Sequence, residues 1–259
     1  MRTILANIRQ AVFSRGFILA ALGTALVLLL SCVEGFLLAF SGEGLMGFGY
    51  HSELLLAALG GNAMTLCLPI AAALPYTAAI VDDVKSGFIK EYLPRTTRAK
   101  YLTGRIIACA LSGGFAVLLG IVIAWGACAL MLLPMEAMPA AAVIEEGAES
   151  AVRAISPLWG RLMLYFSSGA LWAVTGMLFA TLTMSKYMAY ASPFVIYYVL
   201  IILYERYFDK LYVLYPKEWL TPSALWDYGN LGVLLLLFEL TLIIGIFTGA
   251  AAKRRLESL

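Results

Sequence analysis

Six long, nearly uncharged apolar runs constrain the fold of this 259-residue chain more than any other feature. A helix needs about 20 apolar residues to cross the hydrocarbon core of a bilayer, and these runs have that length or close to it. Continuous apolar sequence excludes barrel strands, in which polar and apolar residues alternate. We therefore predict an all-α integral membrane protein with six transmembrane helices in a single domain, residues 1–259. The runs are Phe17–Phe40, Leu54–Val81, Ile106–Leu133, Leu162–Met184, Tyr187–Tyr204 and Leu231–Ala252.

The composition supports this class. Hydrophobic residues make up 62% of the chain and charged residues 13%, whereas a soluble domain is about 45–50% apolar and about 25% charged. This excludes a water-soluble globule, a disordered chain and a nucleic-acid-binding protein. The spacing of the four cysteines fits neither a zinc site nor a disulfide framework, so we predict small buried side chains. They are Cys32, Cys67, Cys109 and Cys128.

The distribution of basic residues predicts the orientation of the chain. Cytoplasmic loops of membrane proteins are enriched in Lys and Arg. If both termini are cytoplasmic, most of the 18 Lys and Arg residues fall on the cytoplasmic side. We therefore predict both termini inside. The five exceptions are Arg153, Arg161, Arg206, Lys210 and Lys217.

Two segments outside the spans have a recognisable pattern. The N-terminal residues place apolar and basic side chains on opposite faces, which predicts an amphipathic helix on the inner membrane surface. A frayed tail is the alternative. The segment 205–230 is half-apolar and is interrupted at Pro216 and Pro222, so we expect two short re-entrant helices in the outer leaflet. The N-terminal faces are Ile4, Leu5, Ile8, Ala11 and Val12 against Arg2, Arg9 and Gln10.

Several kinds of chemistry are missing from the sequence. The single histidine, His51, excludes an HExxH metalloprotease and a His-rich metal site, and we predict it to be a surface residue near the outer end of the second span. No GxSx-type nucleophile elbow and no GxxxxGK[ST] loop occur. The chain therefore has no visible means of catalysis or of binding ATP, and we predict no catalytic residue, no metal and no cofactor of its own.

The long basic inner loop, residues 82–105, is the most informative segment. Val84, Phe88 and Tyr92 recur at intervals of four, which predicts a short amphipathic helix over Val84–Leu93 that ends before Pro94. An aromatic stripe surrounded by charges suits docking into a groove of a soluble partner. A basic loop that rests on anionic membrane lipid is the alternative.

At these residues the chain resembles a known family. An acidic residue, a glycine four positions later, a hydrophobic stretch and then Arg-x-x-Arg-x-x-Tyr-Leu before a long apolar helix is similar to the permease of type-2 ABC exporters. The matching positions are Asp83, Gly87, Arg95 and Arg98, and the predicted layout of six spans is also similar.

The resemblance implies a function and a set of partners. Such permeases work as pairs, with a second copy or a homologous permease, on two separate ATPase subunits that bind ATP and Mg. The helix at Val84–Leu93 would be the coupling helix, and the cargo would be a drug, a peptide or a lipid-like molecule moved outward. The implied location is the plasma (inner) membrane of a prokaryote.

Two acidic residues inside predicted spans are candidates for the transport pathway. Glu34 and Glu239 lie roughly 9 and 12 Å below the outer ends of the first and sixth spans, at about 1.5 Å per residue. An ionisable group inside a span costs about 2.5–3.5 kcal/mol on insertion scales and usually faces a cavity or a partner. Both acids are predicted to line an outward cavity for cationic cargo. The alternative is a structural role, either protonated or paired with Arg161 or with Ser167 and Ser168.

A second set of candidates lies on spans two and five. Tyr190, Phe194 and Tyr197 share one face of the fifth span, where they would form a gate, a dimer contact or simple packing. Asn62, after Gly60 and Gly61, places a polar amide in the second span. Prolines at 69, 75 and 193 predict kinks.

The main alternative to the exporter permease is a secondary transporter or channel that acts alone. It would need ionisable groups near the membrane midplane, whereas Glu34 and Glu239 lie toward one side. A membrane enzyme is disfavoured by the missing catalytic groups, and a structural assembly factor also remains open.

Overall fold

The structure, a computed structural model, describes residues 2–41, 47, 49–89, 97–134, 136, 144–208, 210–226 and 228–257. Every regular element in these ranges is helical, which confirms the all-α prediction. A short 3₁₀ helix spans Tyr212–Leu214. The α-helices are α1 (Arg2–Val12), α2 (Arg15–Ser31), α3 (Val33–Ser41), α4 (Tyr50–Gly60), α5 (Asn62–Ala73), α6 (Ala79–Lys85), α7 (Arg98–Leu132), α8 (Ile144–Thr183), α9 (Lys186–Tyr207) and α10 (Gly229–Glu257).

Four helices of the described chain, α7 to α10, are long and apolar enough to cross a membrane. Two further spans result if each of two bent helix pairs is counted as one. The axes of α1 and α2 meet at 53°, and those of α4 and α5 at 73°. The structure therefore has four to six candidate spans, and the six-span prediction is the upper value of this range.

The first two predicted spans are interrupted. Phe17–Phe40 is divided at Cys32 into α2 and α3, and Leu54–Val81 is divided at Gly61 and again between α5 and α6. Gly61 has extended backbone angles, φ −71° and ψ 153°, which end the helix, and a Cβ at this position would lie only 3.0 Å from the carbonyl oxygen of Ala58. Pro69 and Pro193, by contrast, lie inside helices that they do not interrupt.

Helix α8 is the centre of the bundle and packs against α5, α7, α9 and α10. Its Tyr165 and Trp172 are among the largest fully buried side chains. Where α8 crosses α7, Gly113 and Gly114 face Phe166 and Gly169, so the two backbones approach closely. Small residues commonly bring membrane helices together in this way, since van der Waals contact replaces the hydrophobic effect there.

The N-terminal segment is confirmed as a helix. Helix α1 packs against α7 through the buried Ala11 and half-buried Ile8, while Leu5 is exposed. Gln10, predicted on the polar face, is exposed, and its amide oxygen accepts a hydrogen bond from Arg105 at 3.1 Å. The buried guanidinium of Arg105 explains this contact, because it needs acceptors.

The predicted pair of short re-entrant helices was wrong: between the end of α9 and the start of α10, the described residues form only the 3₁₀ helix, turns and irregular backbone. Trp219 is buried here, its ring centroid is 6.0 Å from that of Trp172, and its Nε1 donates to the carbonyl oxygen of Val213 at 2.9 Å. Aromatic packing onto α8 therefore holds the segment as a cap on the bundle.

Segments predicted to be cytoplasmic meet at one end of the bundle. Arg98 at the start of α7 lies 3.9 Å from Glu257 at the end of α10. Arg255 donates to the carbonyl oxygen of Leu182 at the end of α8, at 2.7 Å. Basic residues that are distant in sequence thus share one end, which is the arrangement that the positive-inside pattern requires.

The glycine contacts yield a test of the packing. A Cβ on Gly113 would lie 2.5 Å from the Cβ of Ala173 and 2.9 Å from the carbonyl oxygen of Gly169, whereas nothing lies within 4 Å of one on Gly126. We expect Gly113→Ala to cost about 1–3 kcal/mol through overpacking. Gly126→Ala, on the same helix, should be neutral or slightly stabilising because alanine favours the helix. Unfolding by SDS titration measures both, and equal stability of the two variants would contradict this packing.

Candidate functional site

A partly buried polar cluster lies at the end of the bundle where α1, α6 and α7 meet. We call it the Asp83 cluster, and it comprises Gln10, Tyr76, Asp83, Tyr101 and Arg105. The Arg105 side chain is 4% exposed and forms an ion pair with Asp83, which is 13% exposed. A buried charge is stable only if it is paired and hydrogen-bonded. The remaining members of the cluster add contacts to the pair, while Nε of Arg105 has no hydrogen-bond partner among the described residues.

Each neighbour of the ion pair makes a defined contact. Tyr101 donates its hydroxyl proton to Oδ2 of Asp83 at 2.5 Å. The amide oxygen of Gln10 accepts from both the Arg105 guanidinium and the Tyr76 hydroxyl, each at 3.1 Å. The guanidinium carbon also lies 5.3 and 5.5 Å from the ring centroids of Tyr76 and Tyr101, within the range of a cation–π contact.

The surroundings of Asp83 have opposing effects on the pKa of its carboxyl group. Burial raises the pKa of the carboxyl to about 6, the hydrogen bond from Tyr101 opposes this, and the neighbouring Asp82 adds to the increase. At pH 7 the carboxyl is therefore still ionised and remains the counter-ion of Arg105.

The adjacent carboxylate fixes α6 to a different helix. Asp82 forms an ion pair with Lys186, the first residue of α9, and both side chains are half exposed. Tyr190 of α9 borders the same small polar cavity of about 200 Å³ as Asp82 and Asp83. Helix α6 is thus held between α7 and α9 by two neighbouring carboxylates.

The predicted helix over Val84–Leu93 was wrong in its first half. Val84 belongs to α6, which ends at Lys85, and Gly87 follows with φ +77°, a left-handed angle that favours glycine. Helical backbone resumes at Phe88, whose side chain is 43% exposed. Tyr92 and Arg95 lie outside the described residues.

Glu34 and Glu239 both face outward in the single chain. Glu34 lies in the first turn of α3, where the helix dipole favours a carboxylate, and its neighbours Val33 and Leu37 are exposed. Glu239 lies on the exposed face of α10 next to Phe238. The structural alternative had named Arg161 as a partner, but Arg161 donates to the carbonyl oxygen of Leu220 at 2.7 Å. A cavity lined by these acids would need a second polypeptide.

The other pathway candidates are separated from one another. Asn62 is exposed at the start of α5, directly after the 73° bend. The predicted aromatic face of α9 runs from the exposed Tyr190 through the half-buried Phe194 to the fully buried Tyr197. Tyr197 packs edge to face on Trp172 with ring centroids 5.6 Å apart, so its surroundings are those of a core residue.

A second polar cluster, which we call the Glu136 cluster, closes the opposite end of the bundle. The Glu136 carboxylate accepts hydrogen bonds from the backbone N–H of Gly49 at 2.8 Å and of His51 at 3.0 Å, and contacts Nδ1 of His51 at 2.7 Å. The prediction of a surface histidine was wrong, because the side chains of His51 and Glu136 are only 10% and 1% exposed. Trp125 covers the cluster, with its ring 6.0 Å from that of His51 and its Nε1 donating to Ser52 at 3.1 Å.

These contacts set the protonation of Glu136. Burial works to raise the pKa of the carboxyl, but the hydrogen bonds from Gly49 and His51 favour its charged form and hold the pKa below its ordinary value. The carboxylate therefore stays ionised at neutral pH and fixes the start of α4 beyond the end of α7.

Sequence reasoning missed Arg105, Gln10 and Glu136. An available signal for Arg105 was its position immediately before the apolar run that begins at Ile106, since an arginine there faces either headgroups or the bundle interior. Gln10 and Glu136 gave no such signal, because each is defined by a contact with a distant segment. In the described chain, no group of three or more His, Cys, Asp or Glu side chains could hold a metal ion.

The two neighbouring aspartates allow a matched test of the Asp83 cluster. We expect Asp83→Asn to cost about 3 kcal/mol or more, because it leaves the buried guanidinium of Arg105 without a counter-charge. Asp82→Asn breaks an exposed pair, which should cost at most about 1 kcal/mol. Unfolding of both variants in detergent measures the difference. Equal losses would show that the buried pair is not the anchor of α6.

The Glu136 cluster predicts a pH-dependent loss of stability. We expect Glu136→Gln to destabilise the protein by about 1.5–3 kcal/mol at pH 7, the range for hydrogen bonds to a charged group. Because the folded pKa is depressed, this contribution is complete above the ordinary glutamate value of 4.5 and is lost as pH falls through the folded pKa.

Thermal unfolding from pH 7 down to pH 3 should therefore show the melting temperatures of wild type and Glu136→Gln approaching each other as the pH falls. Glu53→Gln is the control, since this exposed glutamate lies on the same helix as His51. A constant difference between wild type and Glu136→Gln across this range would contradict the assignment.

No family model, no curated protein and no solved structure matches this chain. What the chain does must therefore follow from its own geometry. That geometry comprises several helices able to span a membrane, a short helix fixed at one end by the Asp83 cluster, and the Glu136 cluster that closes the other end.

Proposed function

We propose that this chain is the permease subunit of an ATP-binding-cassette exporter, which forms the membrane pathway and couples to a separate ATPase subunit. The observation that carries the proposal is the attachment of α6 and the following turn to two long helices through Asp83 and Asp82. A segment that receives force from a soluble motor has to be held rigidly, and here it is held at neighbouring positions.

The surface next to this attachment suits a protein partner. Phe88 presents an exposed aromatic ring directly after the Gly87 turn, and Lys85 is exposed at the end of α6. Aromatic side chains, including Phe, are enriched in protein interfaces, where a few residues carry most of the binding energy. The ATPase would bind ATP and Mg, and no cofactor is assigned to the permease chain itself.

The exterior of the bundle supports the second part of the proposal, a paired permease. Helices α9 and α10 expose many large apolar side chains, among them Val195, Phe238 and Phe247. Lipid covers such faces, but the exposed carboxylate of Glu239 in the middle of one of them is costly in hydrocarbon. Contact with a second permease copy, or with a homologous permease, would remove this cost.

The proposal also assigns an orientation and a location. The end that carries the Asp83 cluster would face the cytoplasm together with both termini, and the membrane would be the plasma (inner) membrane of a prokaryote. Cargo would be a drug, a peptide or a lipid-like molecule moved outward.

The test is purification of the tagged chain from its native membrane, followed by measurement of ATP hydrolysis in the complex. A co-eluting subunit that binds and hydrolyses ATP is the expected result. Phe88→Ala should weaken its association by at least about 2 kcal/mol, or roughly 30-fold, because an interface aromatic is lost.

Phe13→Ala is the matched control, since Phe13 is an exposed aromatic residue in the α1–α2 connection, outside the α6 segment. Both variants should unfold like the wild type. If the Phe88 variant retains full association and ATPase activity, the docking assignment is wrong. Full transport by this chain alone in liposomes would instead support a secondary transporter or channel.

A further inference from the structure

An open groove runs along the outside of the bundle between α7 and α10. Its volume of about 670 Å³ lies within the range of about 300–1,000 Å³ that is typical of ligand pockets. It opens sideways, toward the medium that surrounds the helices. We call it the α7–α10 groove.

The groove exists because glycines take the place of larger residues on α10. Gly245 and Gly249 of α10 face Ile106 of α7, and both glycines line the space. A Cβ built on Gly249 would have its nearest neighbour, Cδ1 of Ile106, at 3.7 Å. The helices are thus close enough to form a floor but leave a channel open along their length.

The walls of the groove suit hydrocarbon. Apart from the two cations at one end, the described residues that line the groove are apolar except for two threonines. Thr103 donates its hydroxyl to the carbonyl oxygen of Ala99 at 2.9 Å, and Thr241 donates to that of Leu237 at 2.7 Å. Both hydroxyl protons are therefore used within their own helices, so a polar ligand would meet little that can bind it.

The length of the groove suits an acyl chain. Its lining on α10 extends from Phe238 to Lys253, which corresponds to roughly 22 Å at 1.5 Å per residue. One leaflet contributes about 15 Å to the hydrocarbon core of a bilayer. A fatty acyl chain parallel to the helices would fit within this length.

Both cations of the groove lie at the same end. Among the described residues, Arg98 and Lys253 are the only charged ones that line the groove, and their side chains are 50% and 65% exposed. Glu257 lies 3.9 Å from Arg98 and 4.0 Å from Lys253, but such long, exposed ion pairs are weak. These three described side chains together carry a net positive charge at the mouth of the groove.

We propose that the α7–α10 groove binds an anionic glycerophospholipid, with an acyl chain along Gly245 and Gly249 and the phosphate at Arg98 and Lys253. Basic pockets between membrane helices bind lipid headgroups of this kind. The binding requires no ATPase, so its failure and the failure of the proposed function are separate results.

The test places a fluorescent reporter in the wall of the groove. Leu242 lines it and is half exposed, so Leu242→Trp reports on a bound chain there. The variant is reconstituted in phosphatidylcholine vesicles that contain brominated phosphatidylglycerol or brominated phosphatidylcholine. The native tryptophan signal, measured without the reporter, is subtracted. Each cation near a headgroup contributes about 1 kcal/mol, or about five-fold, so the reporter should prefer phosphatidylglycerol at least about five-fold.

Three further variants decide between the outcomes. Arg98→Gln with Lys253→Gln should reduce the preference to about one. Arg254→Gln removes a cation at the adjacent position of α10 but lines a different groove, with Leu182 and Phe247, and should leave the preference unchanged. Gly249→Phe fills the groove and should reduce quenching by both brominated lipids.

Equal quenching by the two lipids in the reporter protein would overturn the proposal. So would a preference that survives the loss of both cations. Undiminished quenching in the Gly249→Phe variant would show that the headgroup is attracted to the surface without a chain in the groove, which also contradicts it.

Discussion

The buried guanidinium of Arg105 has to be neutralised and hydrogen-bonded, and this requirement organises one end of the bundle. Its counter-ion, Asp83, belongs to α6, and the amide oxygen of Gln10 in α1 accepts one of its hydrogen bonds. The hydroxyl of Tyr76, in the α5–α6 connection, donates to the same amide oxygen. Each of these segments is short, so its polar contact with this site adds to its apolar packing. A single charge on a long apolar helix thus helps to fix three segments of the chain.

At the opposite end of the bundle, the buried charge that has to be satisfied is negative. There the buried group is the carboxylate of Glu136, and it is satisfied by the N–H groups of Gly49 and His51 and by the His51 ring. Between the two ends the packing is apolar and close, with glycines at the α7–α8 crossing. The fold therefore consists of a tightly packed centre between two polar closures, each of which fixes a connection between helices.

The exterior divides into surfaces with different requirements. The apolar faces of α9 and α10 need lipid or another protein, and the outward carboxylates of Glu34 and Glu239 make hydrocarbon alone an unfavourable neighbour at those points. The α7–α10 groove differs, because its charge is positive and lies at one end. The surface proposed for a second permease and the groove proposed for an anionic lipid are neighbours on α10, because Phe238 belongs to the exposed apolar face and also lines the groove.

The sequence by itself determined the all-helical class, the apolar segments that can span a membrane and the N-terminal helix, because each depends on local composition and periodicity. It also identified Asp83, although only as part of a loop. The tertiary structure alone decided that Asp83 is paired with Arg105, that Gln10 accepts a hydrogen bond from Arg105 and that His51 is covered by Glu136 and Trp125. The bend at Gly61 and the end of α6 at Lys85 were likewise decided only by the tertiary structure. The physical reason is that a buried polar group is stable only beside partners that are distant in sequence, and no local pattern specifies which distant residue will meet it.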